Sequence, residues 1–481
     1  MATLKEKAAT GIFWGAISNL LTQIISAIIG FYLGRILVPA EYGLVAMLAI
    51  FSAIAGVLQE SGFTAALTNL KEVTDKDYNA VFWFSALVSS SLYLVLFFCA
   101  PLIADFYGQP ELVPLSRLVF ASFVVAGIGT AHAAYMFRNM MNKGKAIIST
   151  VASITSGVTG LVLAYNGFSY WSLAWQQFVF IVVTDLGRLY YVRWLPSLKI
   201  DFSPIRRMFG FSSSIMITAL ITQVNNNMLS IIFGKLFSTK SLGNFTQAFK
   251  WDSMAYTFVS GTINQVAQPV LSSINDQEER QLHVFRKLLR FTAFISFPAM
   301  FGLSLVAREF ILLTVRDNWV DSIPLLRILC ISGAFLPFFT LYQNMVISRG
   351  RSNINMWANV SLILLQLTIF IICSRFSILH MVVLYTIINI LWIGVWQTIA
   401  RRIIRLSHLA FLKDILPFML SAAVSCAVAY LLTINISNLW LILILRIVIV
   451  ATLYFCIMKF MHAQILEDSI AFFMKKQKIS D

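Results

Sequence analysis

Charge is scarce in this sequence. Only 12% of its 481 residues are charged, whereas 59% are hydrophobic, and the mean hydropathy is +0.80. That is far more apolar surface than a soluble fold can hide, so a water-soluble domain is excluded and a chain that crosses a membrane many times is expected. Acidic charge is the scarcer sign, with 21 Asp and Glu against 36 Lys and Arg. The basic excess does not make a nucleic-acid binder, because no soluble domain is present to gather it on one face. All five cysteines fall in apolar stretches without a Cys-x-x-Cys pair, which indicates neither a disulfide framework nor a zinc site. No Gly-x-x-x-x-Gly-Lys-Ser/Thr loop occurs, which excludes ATP hydrolysis through a P-loop. Long polar loops are missing too, and with them the outer domain that a glycan-processing enzyme usually needs. The first apolar run is long enough to span, and Lys5 and Lys7 ahead of it mark an uncleaved signal anchor.

What is present is a succession of apolar segments. A hydrocarbon core of about 30 Å needs roughly 20 helical residues, and fourteen such segments follow one another from Thr10 to Met458. The expected fold is an all-α polytopic membrane protein. Residues 1–192 hold six segments, 209–405 hold six more and 406–481 hold two, with the basic stretch 193–208 as an interfacial linker whose Ser203 and Pro204 suit a helix start. Counted by alternating loops, 26 Lys and Arg lie on the side of the N-terminus and 8 on the other, which places both termini in the cytoplasm.

Three landmarks recur in order. Gly34-Arg35-Ile36-Leu37 with Gly43 returns as Gly234-Lys235-Leu236-Phe237 with Gly243. Val113-Pro114-Leu115-Ser116-Arg117-Leu118-Val119 returns as Ile323-Pro324-Leu325-Leu326-Arg327-Ile328-Leu329, and Lys143-Gly144-Lys145 as Arg349-Gly350-Arg351. Six segments separate each pair. An even number means two parallel six-helix repeats in the same orientation, with the last two helices an addition.

Polar residues at membrane depth are costly and mark cavities or partners. Lys250 lies in the eighth segment on the stripe Gln247, Lys250, Met254, Thr257, Gly261, Asn264, Gln265 and Gln268, whose spacings of three and four repeat one helical face. A water-filled lumen explains that face; the alternatives are that Lys250 snorkels to the interface or pairs with Asp252. The first segment presents Asn19, Gln23 and Ser26 on one face, and the seventh carries Gln223, Asn225, Asn226 and Asn227, suited to a shared cavity or to interhelical glue. Glu60 is a candidate for cation coupling or an interfacial carboxylate near Lys71, and His132 is a proton carrier or a packing residue. Arg35 and Glu41 bracket the outer turn after the first segment and are candidates for gating. Asp185 is expected to pair with Arg188, and Arg446 to snorkel outward. Asp75-Lys76-Asp77 resembles a metal-binding Asp-x-Asp but is read as a charge run in a short loop. Neither a catalytic nor a metal-ligating constellation emerges.

Four stretches carry a resemblance over nearly the whole chain: Gly34-Arg35-Ile36-Leu37-Val38-Pro39-Ala40-Glu41-Tyr42-Gly43, Phe106-Tyr107-Gly108 to Glu111-Leu112, Gly167-Phe168-Ser169-Tyr170-Trp171-Ser172-Leu173, and Trp319 before Pro324. In these it resembles the polysaccharide flippases of the multidrug/oligosaccharidyl-lipid/polysaccharide exporter superfamily, the Wzx-type lipid-linked oligosaccharide flippases and their colanic-acid-exporter-like branch. The resemblance implies two six-helix lobes (the MOP flippase fold) around a cavity open alternately to either side, and two further helices bordering a lipid-accessible groove. It implies transport of an undecaprenyl-pyrophosphate-linked oligosaccharide from the cytoplasmic to the periplasmic leaflet of a bacterial inner membrane, for O-antigen, capsule or exopolysaccharide. Cationic cavity residues would hold the pyrophosphate. No cofactor is implied beyond a proton or sodium as coupling ion, and a polysaccharide polymerase and glycosyltransferases are the implied partners. The family's eighth-span pattern matches Gly243, Phe245, Ala248 and Lys250, with Phe for Tyr and Lys for the commoner Arg, which keeps the charge but loses the bidentate fork. The family's acidic outer-loop position falls on Glu41, while Asn226 and Asn227 stand where relatives often carry an Asp, so no cation site carries over there. The rival readings are a cation-coupled multidrug antiporter of the same superfamily, a major facilitator transporter, whose Gly-x-x-x-Asp-Arg-x-Gly-Arg loop is missing, and a membrane-bound polysaccharide polymerase.

Overall fold

A computed structural model describes residues 4–466 except 61, 71 and 464, and among them the chain is helical, with no strand. Packing divides it into two compact units, Met1–Thr246 and Gln247–Asp481. The first holds α1 (Leu4–Ile36), α2 (Pro39–Glu60), α3 (Phe63–Asn69), α4 (Asp75–Tyr107), α5 (Leu112–Arg138), α6 (Asn142–Tyr165), α7 (Trp171–Tyr191) and α8 (Ser203–Leu236). The chain passes into the second along α9 (Thr239–Ser273), followed by α10 (Glu278–Thr314), α11 (Ser322–Gly333), α12 (Leu336–Ser348), α13 (Ser352–Ile372), α14 (Ile378–Ile404), α15 (His408–Thr433) and α16 (Leu439–Phe460).

Every one of the fourteen predicted segments is helical, but they do not all qualify as spans. Among the described residues eleven helical stretches are long and apolar enough to cross a membrane, or twelve if the two parts of α8 count as one. The shortfall is α7 and α9, whose hydropathy is lowered by Gln176, Gln177, Asp185 and Arg188 in one and by Gln247, Lys250, Asp252, Asn264 and Gln268 in the other. Helix α8 bends by 42° between Ile215–Val224 and Asn226–Leu236, within the asparagine run. There the Asn227 amide donates to the Gln223 carbonyl at 3.0 Å, a side-chain competitor for the helical ladder.

Two predicted spans are broken. The second stops at Glu60 and resumes as α3 after Gly62, whose φ of 70° lies in the left-handed region. A Cβ there would also stand 2.6 Å from the Ser212 carbonyl oxygen, so backbone conformation and close packing both require glycine. The tenth comprises α11 and α12, separated at Ala334 and Phe335, with Pro337 in the first turn of the new helix. By contrast, the short separation of the fifth and sixth segments is real: α6 ends at Tyr165, and Gly167 and Ser169 turn the chain with positive φ.

The duplicated glycines meet each other. A Cβ on Gly43 would lie 2.0 Å from the Thr239 carbonyl oxygen, and one on Gly243 would lie 1.7 Å from that of Pro39. The first turns of α2 and α9 thus cross backbone to backbone, which only residues without a side chain allow.

The linker is tied to the start of α4. The Asn79 side chain donates to the Lys199 carbonyl and accepts from the Ser197 amide, both at 2.8 Å, and the Trp83 indole donates to the Ser197 carbonyl at 2.9 Å. Asp75-Lys76-Asp77 is not a loop but the first turn of α4. Thr74 and Asp77 form a capping box, and Asp77 also takes Arg207 at 2.7 Å. At α8, Pro204 occupies the first turn as expected, but the capping carboxylate comes from Asp201, which accepts from the Ser203 amide at 2.9 Å. That bond holds the Asp201 carboxyl below its usual range.

In the second unit α15 and α16 pack on α10 and on each other, and ion pairs fasten both to α10. Arg286 grips Asp414 with two bonds of 2.6 and 3.0 Å. Arg446 does not snorkel outward. It is buried, donating to Glu309 at 2.9 Å, to the Thr433 hydroxyl at 2.9 Å and to the Leu305 carbonyl at 3.2 Å. Burial with a complete set of partners is the arrangement that makes an intramembrane arginine tolerable.

Candidate functional site

Helix α9 presents two unlike faces. Val259, Ile263, Ala267 and Leu271 are buried, whereas Thr257, Asn264 and Gln268 are exposed, so the lower part of the predicted polar stripe is an accessible surface. Asn264 accepts from the Asn344 amide at 2.8 Å. The head of the stripe is enclosed: Gln247 is fully buried with neither amide atom partnered. Lys250 is half-buried and places its ammonium 5.1 Å from the Trp251 ring centre. It makes no described ion pair with Asp252, which is buried on the other face with Oδ1 unpartnered. The side chain of Gln265 lies outside the described residues.

The remaining candidates are dispersed. Asn19 and Asn226 are exposed, and Gln23 is half-buried. Glu41 closes the turn before α2, accepting from the Val38 amide at 2.7 Å and from the Ser169 hydroxyl at the start of α7. Arg35, close by, is exposed. His132 is buried, its Nε2 3.2 Å from the Trp194 carbonyl oxygen and its ring edge-on to those of Phe82 and Trp194, which gives it a place in the packing under the linker. The side chain of Glu60 lies outside the described residues.

A different group of residues surrounds a cavity of about 660 Å³ inside the first unit, among α1, α2, α3, α5, α6 and α7. Its polar lining includes Ser18, Ser149 and Gln177, and its charges are Lys145, Asp185 and Arg188. Ser18 and Ser149 share a hydrogen bond of 2.9 Å. Asp185 and Arg188 pair at 2.6 Å, as their spacing on α7 predicts. Asp185 fits because α5 offers Gly129 opposite it; a Cβ there would fall 1.9 Å from Oδ1. Lys145 reaches in from α6 with its ammonium 4.4 Å from the Phe137 ring centre, within electrostatic reach of Arg188. In the sequence Lys145 is visible only as part of the repeated landmark Lys143-Gly144-Lys145. Nothing in the local pattern showed that α6 would carry it beside a charged pair some forty positions later.

The family described as "Polysaccharide biosynthesis protein" matches residues 32–324. The chain is 22% identical over 433 residues to the teichuronic acid biosynthesis protein TuaB of Bacillus subtilis (strain 168), a match covering 88% of each. It is 23% identical over 364 residues to the lipopolysaccharide biosynthesis protein WzxC of Escherichia coli (strain K12), covering 74% of this chain and 73% of that one. Among solved structures it is similar in fold to the lipid II flippase MurJ in an inward closed conformation. That superposition has a TM-score of 0.77 at 14% identity, covering 94% of this chain and 99% of the other.

Proposed function

Because this chain belongs to the polysaccharide biosynthesis protein family, we propose that it is the flippase of a surface-polysaccharide pathway, carrying an undecaprenyl-pyrophosphate-linked oligosaccharide from the cytoplasmic to the periplasmic leaflet. The observation that carries the reading is a family match on a chain built of membrane-crossing helices. A sugar diphosphate cannot enter hydrocarbon, so moving it needs polar surface along transmembrane helices and a route that leaves the lipid tail in the bilayer. The exposed polar face of α9, headed by Lys250, suits that task. Alternating access by two repeats in one orientation supplies the motion, with both termini in the cytoplasm, a proton or sodium ion as the coupling species, and a polymerase receiving the product.

The multidrug antiporter reading is less favoured. An imported or exported cation needs acidic surface, whereas the described charges around the interior cavity are two basic groups and one carboxylate. Gene deletion tests the proposal, with lipid-linked glycan orientation scored by a membrane-impermeant glycosidase on intact spheroplasts. The expected result is glycan trapped on the cytoplasmic leaflet; unchanged outer-leaflet delivery would overturn the flippase reading.

A further inference from the structure

A second, smaller cleft of the first unit lies where α4 and α8 meet the break between α2 and α3. We infer that it is a site for an anionic diacyl phospholipid of the cytoplasmic leaflet, with one acyl chain in the cleft, an ester carbonyl at the Ser212 hydroxyl and the phosphate at Arg206. The inference is independent of the flippase reading, because such a lipid is a resident of the bilayer and not cargo. The cleft holds about 210 Å³, and its walls are Phe63 of α3, Phe84, Val88 and Leu92 of α4, and Phe209 and Met216 of α8. Spacings of four along α4 make that wall a single helix face. Only Ser212 and Ser213 interrupt the apolar lining. Ser213 donates to the Gly210 carbonyl at 3.1 Å, but Ser212 is buried and its hydroxyl has no partner. A buried hydroxyl left bare is costly, and the apolar walls offer it no acceptor. An ester carbonyl, placed between a tail and a headgroup, is an acceptor at that depth. A polyprenyl chain has none there.

The cation stands at the mouth. Positions 206, 209, 213 and 216 follow one another at spacings of three, four and three, so Arg206 shares the cleft face of α8, one turn nearer the linker. It is exposed. The carboxylates around it are engaged elsewhere: Asp77 with Arg207, and Asp201 with the Ser203 amide. The linker runs up to the same mouth, with Phe202 edge-on to Phe84 at 6.4 Å between ring centres. Leu195 and Leu198 stand exposed beside Arg193 and Lys199, in a segment that Asn79 and Trp83 pin to α4. Apolar side chains interleaved with cations suit the headgroup region of an anionic leaflet. A longer apolar groove along α15 and α16 also has a lysine, Lys413. It lacks the bare donor, since its Ser421 hydroxyl faces the Met461 sulfur at 3.8 Å.

The test is native mass spectrometry of the purified, delipidated full-length protein, titrated with dioleoyl phosphatidylglycerol, its ether-linked dialkyl analogue, dioleoyl phosphatidylcholine and undecaprenyl phosphate. Phosphatidylglycerol should bind more tightly than phosphatidylcholine, and Arg206→Gln should weaken it about tenfold, the lower end for one lost charged hydrogen bond. Ser212→Ala should weaken the ester lipid a few-fold, to the level of the ether analogue, and leave the ether analogue unchanged. Damage to the fold would not separate the two. Val88→Trp fills the cleft and should abolish binding. Arg206 is exposed and its side chain makes no described bond, so Arg206→Gln keeps the test decisive if Val88→Trp does not fold. Retention of phosphatidylglycerol that none of the three variants alters, or that only Lys413→Gln reduces, overturns the assignment. Undecaprenyl phosphate that displaces phosphatidylglycerol and is itself weakened by Arg206→Gln would overturn the choice of lipid.

Discussion

Each unit buries an aspartate inside its helices, and the two are treated differently. Asp185 in the first unit has an arginine one turn away, a cavity beside it and a lysine within electrostatic reach. Asp252 in the second has no described ion pair and is packed against Gly333, where a Cβ would come within 2.4 Å of its Oδ1. The second unit's other buried charges join helices: Glu309 to Arg446, and Asp414 to Arg286. Asp185 is left beside a cavity, whereas Glu309 and Asp414 of the second unit join helices, as Asp77 does through Arg207 in the first. The two units, alike in being helical throughout their described residues, thus differ in what these ionised groups do.

The contrast can be broken most forcefully in the second unit. Arg446→Leu should destabilise the protein by about 3–5 kcal/mol, because it strands Glu309 without its partner. Thermal unfolding in detergent reads the loss, and a Glu309→Leu/Arg446→Leu double variant should recover most of it. If the double variant is as unstable as the single, the pair is not what holds α16 to α10.

A sharper comparison replaces each buried carboxylate by its amide. Asp185→Asn removes a short charged hydrogen bond to a partly exposed arginine and should cost about 1–2 kcal/mol. Asp252→Asn removes a desolvated charge that has no described counter-ion and should be neutral or stabilising. Equal losses at the two sites would erase the distinction drawn between the units. The smallest effect is expected at the linker, where Arg207 is 60% exposed in its pair with Asp77. Arg207→Ala should cost less than about 1 kcal/mol, and high salt should shrink the difference further.

Hydropathy made the helices legible, because each apolar run reports its own length. It did not report interruptions. The Ala334–Phe335 break falls inside a run that stays apolar, and at the second span Gln59-Glu60-Ser61-Gly62 shows a polar patch but not a stop, which the αL Gly62 packed against Ser212 supplies. Periodicity identified the polar face of α9 but not that its head at Gln247 would be enclosed. The Asp185–Arg188 pair was readable because three positions on one helix are neighbours. The partner of Arg446 was not, since Glu309 is 137 residues away, nor was the approach of Lys145 to α7, which depends on how α6 and α7 pack.

The crossing of α2 and α9 carries a symmetry in its numbering. Position 43 meets 239 and position 243 meets 39, each partner displaced by the interval that separates the repeated glycines. Residue i touching j while j touches i is the contact pattern of two identical chains about a two-fold axis. With that reciprocity, a side chain gained at either glycine strikes the backbone of the facing turn. Glu41 beside one glycine accepts from Ser169, while the described bonds of Ser241, at the matching position beside the other, run to Ser238 in its own turn. The two glycines keep a reciprocal contact although the residues around them differ.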